Sequence, residues 1–119
     1  TFKSEGTCTG LSYPRYVVNR NENEIFVSNG SGDGNDYVYV VNKLSMQKTD
    51  SVATGLGPNT MVVSNGKLFV ANSGGWGTDK TVTVIDTKTL KVEKTITVGD
   101  NPYDMDVDAQ GNIIVLCKG

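Results

Sequence analysis

The sequence predicts an all-β fold built from a tandem repeat of short strands. Its three prolines, Pro14, Pro58 and Pro102, are spaced 44 residues apart. Four further pairs keep this interval: Met46 and Leu90, Asn42 and Asp86, Val52 and Ile96, and Gly55 and Gly99. Each copy holds four short runs of alternating apolar and polar residues, which indicate strands. A period of this size with four strands per copy is typical of β-propeller blades. We therefore predict a β-propeller fragment of about two and a half to three four-stranded antiparallel blades.

The first elements follow from this register. Residues 1–13 are expected to form the outer strand of a preceding blade, because Phe2 and Cys8 fall in the positions of Met46 and Val52. Residues 14–57 form the first complete blade, with strands predicted at 15–19, 24–28, 37–41 and 46–53. The strands at 24–28 and 37–41 are rich in Val, Phe and Tyr, as expected of strands buried between neighbouring sheets.

The second blade, residues 58–101, repeats the pattern with clearer turn residues. Asn65-Gly66 is the strongest short signal for a β-hairpin. Asp86 is expected to cap the next turn through its carboxylate. The fourth strand, predicted over Leu90–Val98, carries charged residues and is therefore the outer strand of its blade. Residues 102–119 hold the first two strands of a further blade, with a turn at 109–112.

Composition excludes several classes of function. The 119 residues include 11 Lys or Arg and 13 Asp or Glu, a net charge of −2 with no basic cluster, so no nucleic-acid partner is expected. No apolar run is long enough for a transmembrane helix, and no signal peptide is visible. Because propellers close with about four to eight blades, we expect the remaining blades to come from the same polypeptide or from other chains. Cys8 and Cys117 lie on different predicted blades, which favours free thiols.

The predicted topology gathers two Gly/Asn-rich loops at one end of the blades. In a four-stranded meander, the loop between strands two and three emerges beside the linker to the next blade. This end, which we call the loop face, comprises the loops Asn29–Asp36 and Asn72–Lys80 with the linkers Gly10–Arg15, Gly55–Asn59 and Gly99–Asp104. Loops on a rigid scaffold are the usual place for function.

Five residues of the loop face are candidates for ligand contact: Arg15, Asn59, Trp76, Tyr103 and Asp104. Trp76 is the single tryptophan, and it would offer a flat anchor to a planar ligand or a protein partner; the alternative is a ring folded over its own loop. Arg15, Asn59 and Tyr103 each follow a repeat proline, where varied polar residues suit ligand contact. The alternative for these is a solvent-exposed linker.

Other polar residues favour structural roles. Asn29 and Asn72 end the second strands, where Asn commonly bonds loop backbone groups. The loop Asn29–Asp36 has alternating oxygen-bearing residues that partly match a calcium loop, but its twelfth position is Val40 instead of the bidentate Glu, which favours a plain turn. Asp104, Asp106 and Asp108 alternate along one strand, where channel-lining or turn-capping roles compete with metal binding. We therefore assign no metal and no cofactor.

The tags Phe26-Val27-Ser28-Asn29 and Phe69-Val70-Ala71-Asn72 resemble the YVTN-type β-propeller repeat across essentially the whole chain. The loop Asn72–Gly77 and the ending Val115-Leu116-Cys117 are similar to a subgroup, the surface-layer-like propeller lipoproteins of gut bacteria. Some members of that subgroup capture corrinoids such as vitamin B12. The resemblance implies export to a bacterial cell surface or periplasm, possible lipid anchoring, and capture of a small ligand.

Three functional hypotheses follow. The first is a non-enzymatic propeller that captures a small ligand on its loop face, with a corrinoid implied by the resemblance alone. The second is a protein-interaction or surface-layer scaffold that uses the same loops. The third is a propeller lactonase or lyase, which the absence of histidine disfavours because the usual general base is missing. We predict that the chain is not an enzyme.

Overall fold

The computed structural model describes residues 9–118 and shows only β-strands as regular structure within that range. The strands are β1 (Pro14–Asn19), β2 (Glu24–Asn29), β3 (Tyr37–Asn42), β4 (Lys48–Ala53), β5 (Pro58–Ser64), β6 (Lys67–Asn72), β7 (Thr81–Asp86), β8 (Val92–Thr97), β9 (Pro102–Val107) and β10 (Ile113–Cys117). The predicted all-β class is confirmed. Of the strand expected at residues 1–13, residues 1–8 lie outside the described range and residues 9–13 form no strand. Residues 9–118 include no helix long and apolar enough to span a membrane.

The strands form three antiparallel sheets, and within each sheet neighbouring strands follow one another in the sequence. Sheet 1 contains β1–β4, sheet 2 contains β5–β8, and sheet 3 contains β9 and β10. Each sheet opens with a repeat proline opposite the last residue of its second strand: Pro14 opposite Asn29, Pro58 opposite Asn72, and Pro102 opposite Cys117. Cys117 therefore occupies the position of the two asparagines. Its thiol is free within residues 9–118, and Cys8 lies outside that described range.

The three sheets pack face to face, with their first strands β1, β5 and β9 side by side. Between sheets 1 and 2 lies a cluster of eight buried side chains: Phe26, Val38, Val40, Val52, Met61, Leu68, Val70 and Ile85. A smaller cluster between sheets 2 and 3 centres on Ala71, Val82 and Met105. Successive side chains of a strand point to opposite faces of its sheet, so sheet 2 places apolar side chains in both clusters.

The fourth strands begin later than the sequence pattern predicted. β4 starts at Lys48 and β8 at Val92, because Met46 and Leu90 belong to the preceding turns. Their backbones are left-handed, with φ of 57° and 62°, and their N–H groups donate to Asn42 and Asp86 at the far side of each turn. Leu90 looked like a strand residue in the sequence because its side chain is apolar and packs against the larger core cluster, although its backbone belongs to the turn.

The short turns lie at the end of the sheets opposite the loop face. Carboxylates cap two of them, Asp86 between β7 and β8 and Asp108 between β9 and β10. As predicted, the Asp86 carboxylate accepts hydrogen bonds from the backbone N–H groups of Thr89 and Lys88. Lys67 adds ion pairs to Asp86 and to Glu93. These hydrogen bonds, first those from Thr89 and Lys88 and then that from Lys67, lower the pKa of Asp86 from 3.8 to about 2.

This lowered pKa predicts acid sensitivity with a defined sign. The stabilisation that ionised Asp86 provides is complete above pH 3.8 and is lost as the pH falls through about 2. In urea unfolding followed across this interval, the Asp86→Asn variant should show a shallower dependence of the unfolding free energy on pH than the wild type. Equal slopes for the two proteins would contradict this assignment.

Candidate binding face

The loop face is held together by backbone contacts between its loops. The Trp76 N–H donates to the Ser31 carbonyl over 2.7 Å, which joins the β6–β7 loop to the β2–β3 loop. Gly75 permits this approach, because a Cβ at that position would lie 2.0 Å from the Ser31 oxygen. The linker into sheet 2 joins them, since the Gly74 N–H donates to the Leu56 carbonyl over 2.9 Å. Trp76 therefore stands on a loop that is tied to two neighbouring segments.

Asp36 is the central acceptor of this arrangement. Its side chain is buried, and its Oδ1 accepts hydrogen bonds from the N–H groups of Gly32 and Gly57, each over 2.9 Å. Its Oδ2 accepts one from the Gly34 N–H over 3.1 Å. One carboxylate thereby folds the β2–β3 loop and clamps it to the linker between sheets 1 and 2. Hydrogen bonds to a charged acceptor are the stronger class.

Asp79 links the same loop region to sheet 3. Its Oδ2 accepts a hydrogen bond from the Leu56 N–H over 2.8 Å. Its backbone exchanges bonds with Asn101, whose side-chain oxygen accepts from the Asp79 N–H over 3.1 Å and whose N–H donates to the Asp79 carbonyl. Asp79 therefore forms hydrogen bonds both to the linker into sheet 2 and to the linker into sheet 3.

Trp76 is exposed over 82% of its surface, so the ring is not folded over its own loop. Three more large side chains with exposed surface lie on the loop face: Tyr13, Leu56 and Tyr103. Tyr103 lies at the same end of the sheets as Trp76, because it is the second residue of β9 and follows closely on Asn101, which bonds the Trp76 loop through Asp79. A rigid surface with exposed aromatic groups suits planar or apolar ligands.

The other predicted contact residues have separate surroundings. The Arg15 guanidinium stacks 4.5 Å from the Tyr13 ring centre and donates to the Gly30 carbonyl over 3.0 Å. The Asn59 and Tyr103 carbonyls accept hydrogen bonds from Ser28 and Thr60 of the neighbouring sheets, which joins the sheets in pairs.

Asp104 lies apart from Trp76 and lines a cleft of about 370 Å³ on the outer surface of sheet 3. Lys118 adds a cation on this side of the molecule, with its ammonium 5.6 Å from the Tyr103 ring centre. Lys118 was not among the predicted contact residues, because it lies 15 residues along the chain from Tyr103 and only strand pairing brings the two together.

The two strand-ending asparagines differ from each other. Asn29 acts on loop backbone as predicted: its Oδ1 accepts from the Tyr13 N–H over 2.8 Å, and its amide donates to the Asn35 carbonyl. Asn72 donates instead to the hydroxyl groups of Thr81 and Thr83. Its buried Oδ1 accepts no hydrogen bond from the described residues. The difference arises because Gly57, which takes the place of Tyr13, donates its N–H to Asp36.

Asp36 and Asp79, two acidic residues of the loop face, accept hydrogen bonds from backbone N–H groups. Both Asp36 oxygens are used in this way, and Asp79 also accepts from Lys80 and Thr81. Across residues 9–118, no group of three or more His, Cys, Asp or Glu side chains is placed to hold a metal ion. Asp108 caps the turn after β9, and hydrogen bonds from Asn112 lower its pKa.

Comparison with known proteins finds a structural likeness. No family model matches the chain, and no curated protein sequence matches it. Among solved structures, the chain is similar to a chain of Kuenenia stuttgartiensis hydrazine synthase, with 25% sequence identity and a TM-score of 0.74. The match covers 100% of this chain and 33% of that chain, so this chain spans about a third of its structural relative.

Proposed function

We propose that this chain forms part of a non-enzymatic β-propeller that captures a small ligand on its loop face. The supporting architecture is the repeated four-stranded antiparallel unit, with first strands side by side as in blades around an axis. In this proposal the remaining blades complete the ring, and the protein is exported to a bacterial cell surface or periplasm, where a lipid anchor would hold it. A corrinoid is the proposed ligand, on the strength of the sequence resemblance described above.

Trp76 is the observation that carries the proposal. An exposed tryptophan ring leaves a large apolar surface in contact with water, which is unfavourable. A ligand or partner that covers the ring removes this surface from water and gains the free energy of its burial. The backbone that carries the ring is held in place, because the Trp76 N–H and the N–H groups of Gly74 and Gly77 on either side donate hydrogen bonds. Preorganisation of this kind reduces the entropy that binding must overcome.

Four other predicted residues complete the proposed contact set. Tyr103 and Asn59 offer an aromatic and an amide group at the starts of β9 and β5, and Arg15 offers a cation at the start of β1. Asp104 contributes a carboxylate from the cleft on the outer surface of sheet 3. A planar ligand with amide and anionic groups, such as a corrinoid, would find both stacking and hydrogen-bonding partners on such a surface.

The test is calorimetric titration of the protein with cyanocobalamin. We expect micromolar binding, and a loss of at least about 10-fold in affinity for Trp76→Ala, since 1.4 kcal/mol corresponds to a factor of ten. Trp76→Phe should retain part of the affinity. Leu44→Ala is the matched control, because Leu44 is a large apolar side chain at least as exposed as Trp76 but lies on a turn at the opposite end.

Unchanged affinity in Trp76→Ala, or no heat of binding in the wild type, would count against corrinoid capture. The second hypothesis, a protein-interaction or surface-layer scaffold, draws on the same exposed Trp76. A purified partner whose binding is lost in Trp76→Ala and kept in Leu44→Ala would favour it.

A further inference from the structure

The chain contains two Asn-Gly pairs, Asn29-Gly30 and Asn65-Gly66, and the fold places them in opposite surroundings. In such a pair the backbone nitrogen of glycine can attack the side-chain carbonyl carbon of asparagine, because glycine has no side chain to hinder the approach. The attack needs a side-chain amide that is able to turn, a nitrogen that is not held in another hydrogen bond, and a backbone with room to adapt to a cyclic product.

Asn65-Gly66 meets these three requirements. The pair forms the turn between β5 and β6, and both residues are exposed. Within residues 9–118, neither the Asn65 side chain nor the Gly66 N–H has a hydrogen-bond partner. A Cβ built on Gly66 would meet no atom within 4 Å, so the backbone there has open space. Sheet 2 packs between sheets 1 and 3, so the exposure of this turn does not depend on further blades.

Asn29-Gly30 meets none of them. Asn29 is only 1% exposed, and its Oδ1 accepts a hydrogen bond from the Tyr13 N–H while its amide donates to the Asn35 carbonyl. The nitrogen of Gly30 is also engaged, because its N–H donates to the Tyr13 carbonyl over 3.1 Å. A Cβ built on Gly30 would lie 2.3 Å from the Asp36 Oδ1, so the surroundings are closely packed. The same dipeptide is therefore locked on the loop face.

We propose that Asn65 is a site of spontaneous deamidation in the folded protein, whereas the fold protects Asn29. The Gly66 nitrogen forms a bond to the Asn65 Cγ and gives up its proton, the bond from Cγ to the side-chain nitrogen breaks, and ammonia leaves with that proton. One water molecule then opens the cyclic imide. Opening at Cγ gives aspartate, and opening at the backbone carbonyl carbon gives isoaspartate. The net change replaces an amide by a carboxylate, and nothing is oxidised or reduced.

The isoaspartate product changes the hairpin, because its backbone runs through the former side chain and gains one carbon atom. Loop length fixes the register of a hairpin, so the longer turn disturbs the pairing of β5 with β6. The Gly66 carbonyl also accepts hydrogen bonds from the N–H and the hydroxyl of Thr87, over 3.1 Å and 2.9 Å, which tie this turn to the turn between β7 and β8. The modification lies at the end opposite the loop face and leaves Trp76 in place.

The test is incubation of the folded wild type in water labelled with heavy oxygen, at body temperature and mildly alkaline pH, followed by peptide mapping with mass spectrometry. We expect a labelled oxygen at Asn65, in a mixture of aspartate and isoaspartate. Conversion at Asn65 should be at least about 10-fold faster than at Asn29, because Asn29 reacts only when its segment opens locally. In urea the two pairs should convert at similar rates, since unfolding leaves the same dipeptide in both places.

Gly66→Ala is the control variant, and its conversion at Asn65 should be slower than in the wild type because the added methyl group obstructs the attacking nitrogen. Conversion at Asn65 that is no faster than at Asn29 in the folded wild type would overturn the proposal. Aspartate without isoaspartate at Asn65 would overturn it as well, because that product pattern belongs to direct hydrolysis of the amide. The readout is the mass and linkage of one residue, so it is independent of whether cyanocobalamin binds.

Discussion

The Phe26→Ala variant is expected to unfold with a free energy about 3–5 kcal/mol below that of the wild type. Phe26 is fully buried in the larger cluster, between β strands of sheet 1 and Met61 of sheet 2. Removing the ring takes away apolar burial and leaves a cavity that the rigid sheets cannot close. Because domains of ordinary stability have only about 5–15 kcal/mol in total, the variant should be close to unfolding at room temperature. Urea unfolding followed by circular dichroism measures the effect.

Phe69→Ala is the matched comparison, since Phe69 is the equivalent residue of sheet 2. It packs against the smaller cluster and is only partly buried, because sheet 3 contributes two strands to this contact. We expect a clearly smaller loss of stability than for Phe26→Ala. Equal losses would mean that the contact between sheets 2 and 3 is as well packed as the contact between sheets 1 and 2, contrary to the burial described above.

The elements of the fold could be predicted from the sequence because the repeat makes each signal appear more than once. The interval between the prolines aligned all three sheets, and the Asn65-Gly66 turn joins β5 to β6 as predicted. The starts of β4 and β8 could not be placed in the same way. Leu90 adopts a left-handed backbone that its side chain does not favour, and only tertiary packing holds it there.

The candidate site was predictable only in part. The loop face follows from strand order alone, and the placement of Trp76 at the same end as Tyr103 agrees with it. The role of Asp36 was not predictable, because within its own loop it looks like one of several turn residues. Its decisive partner, the Gly57 N–H, lies 21 residues away in the linker between sheets 1 and 2. Long-range hydrogen bonds of this kind leave no local pattern in a sequence.

Among Gly→Ala substitutions on the loop face, Gly75→Ala is expected to be the most destabilising. The backbone at Gly75 has φ of 58°, and a Cβ would lie 2.0 Å from the Ser31 carbonyl oxygen and 2.2 Å from its carbon. Both neighbours are backbone atoms, so no side chain can rotate away. The loop must therefore separate from Ser31 and lose the 2.7 Å hydrogen bond from Trp76. We expect a loss of at least about 2 kcal/mol, from left-handed strain together with the broken bond.

Gly66→Ala separates these two causes, because Gly66 has a similar φ of 74° but no atom within 4 Å of the added Cβ. The Gly66→Ala variant should be destabilised only by the left-handed strain, which is about 1–2 kcal/mol. It should bind cyanocobalamin as the wild type does. Gly75→Ala should lose more stability, shift the fluorescence of Trp76 and weaken ligand binding, because the ring no longer stands on a fixed base. If both variants lost the same stability and Gly75→Ala kept its affinity, the contact between the two loops would have no part in positioning Trp76.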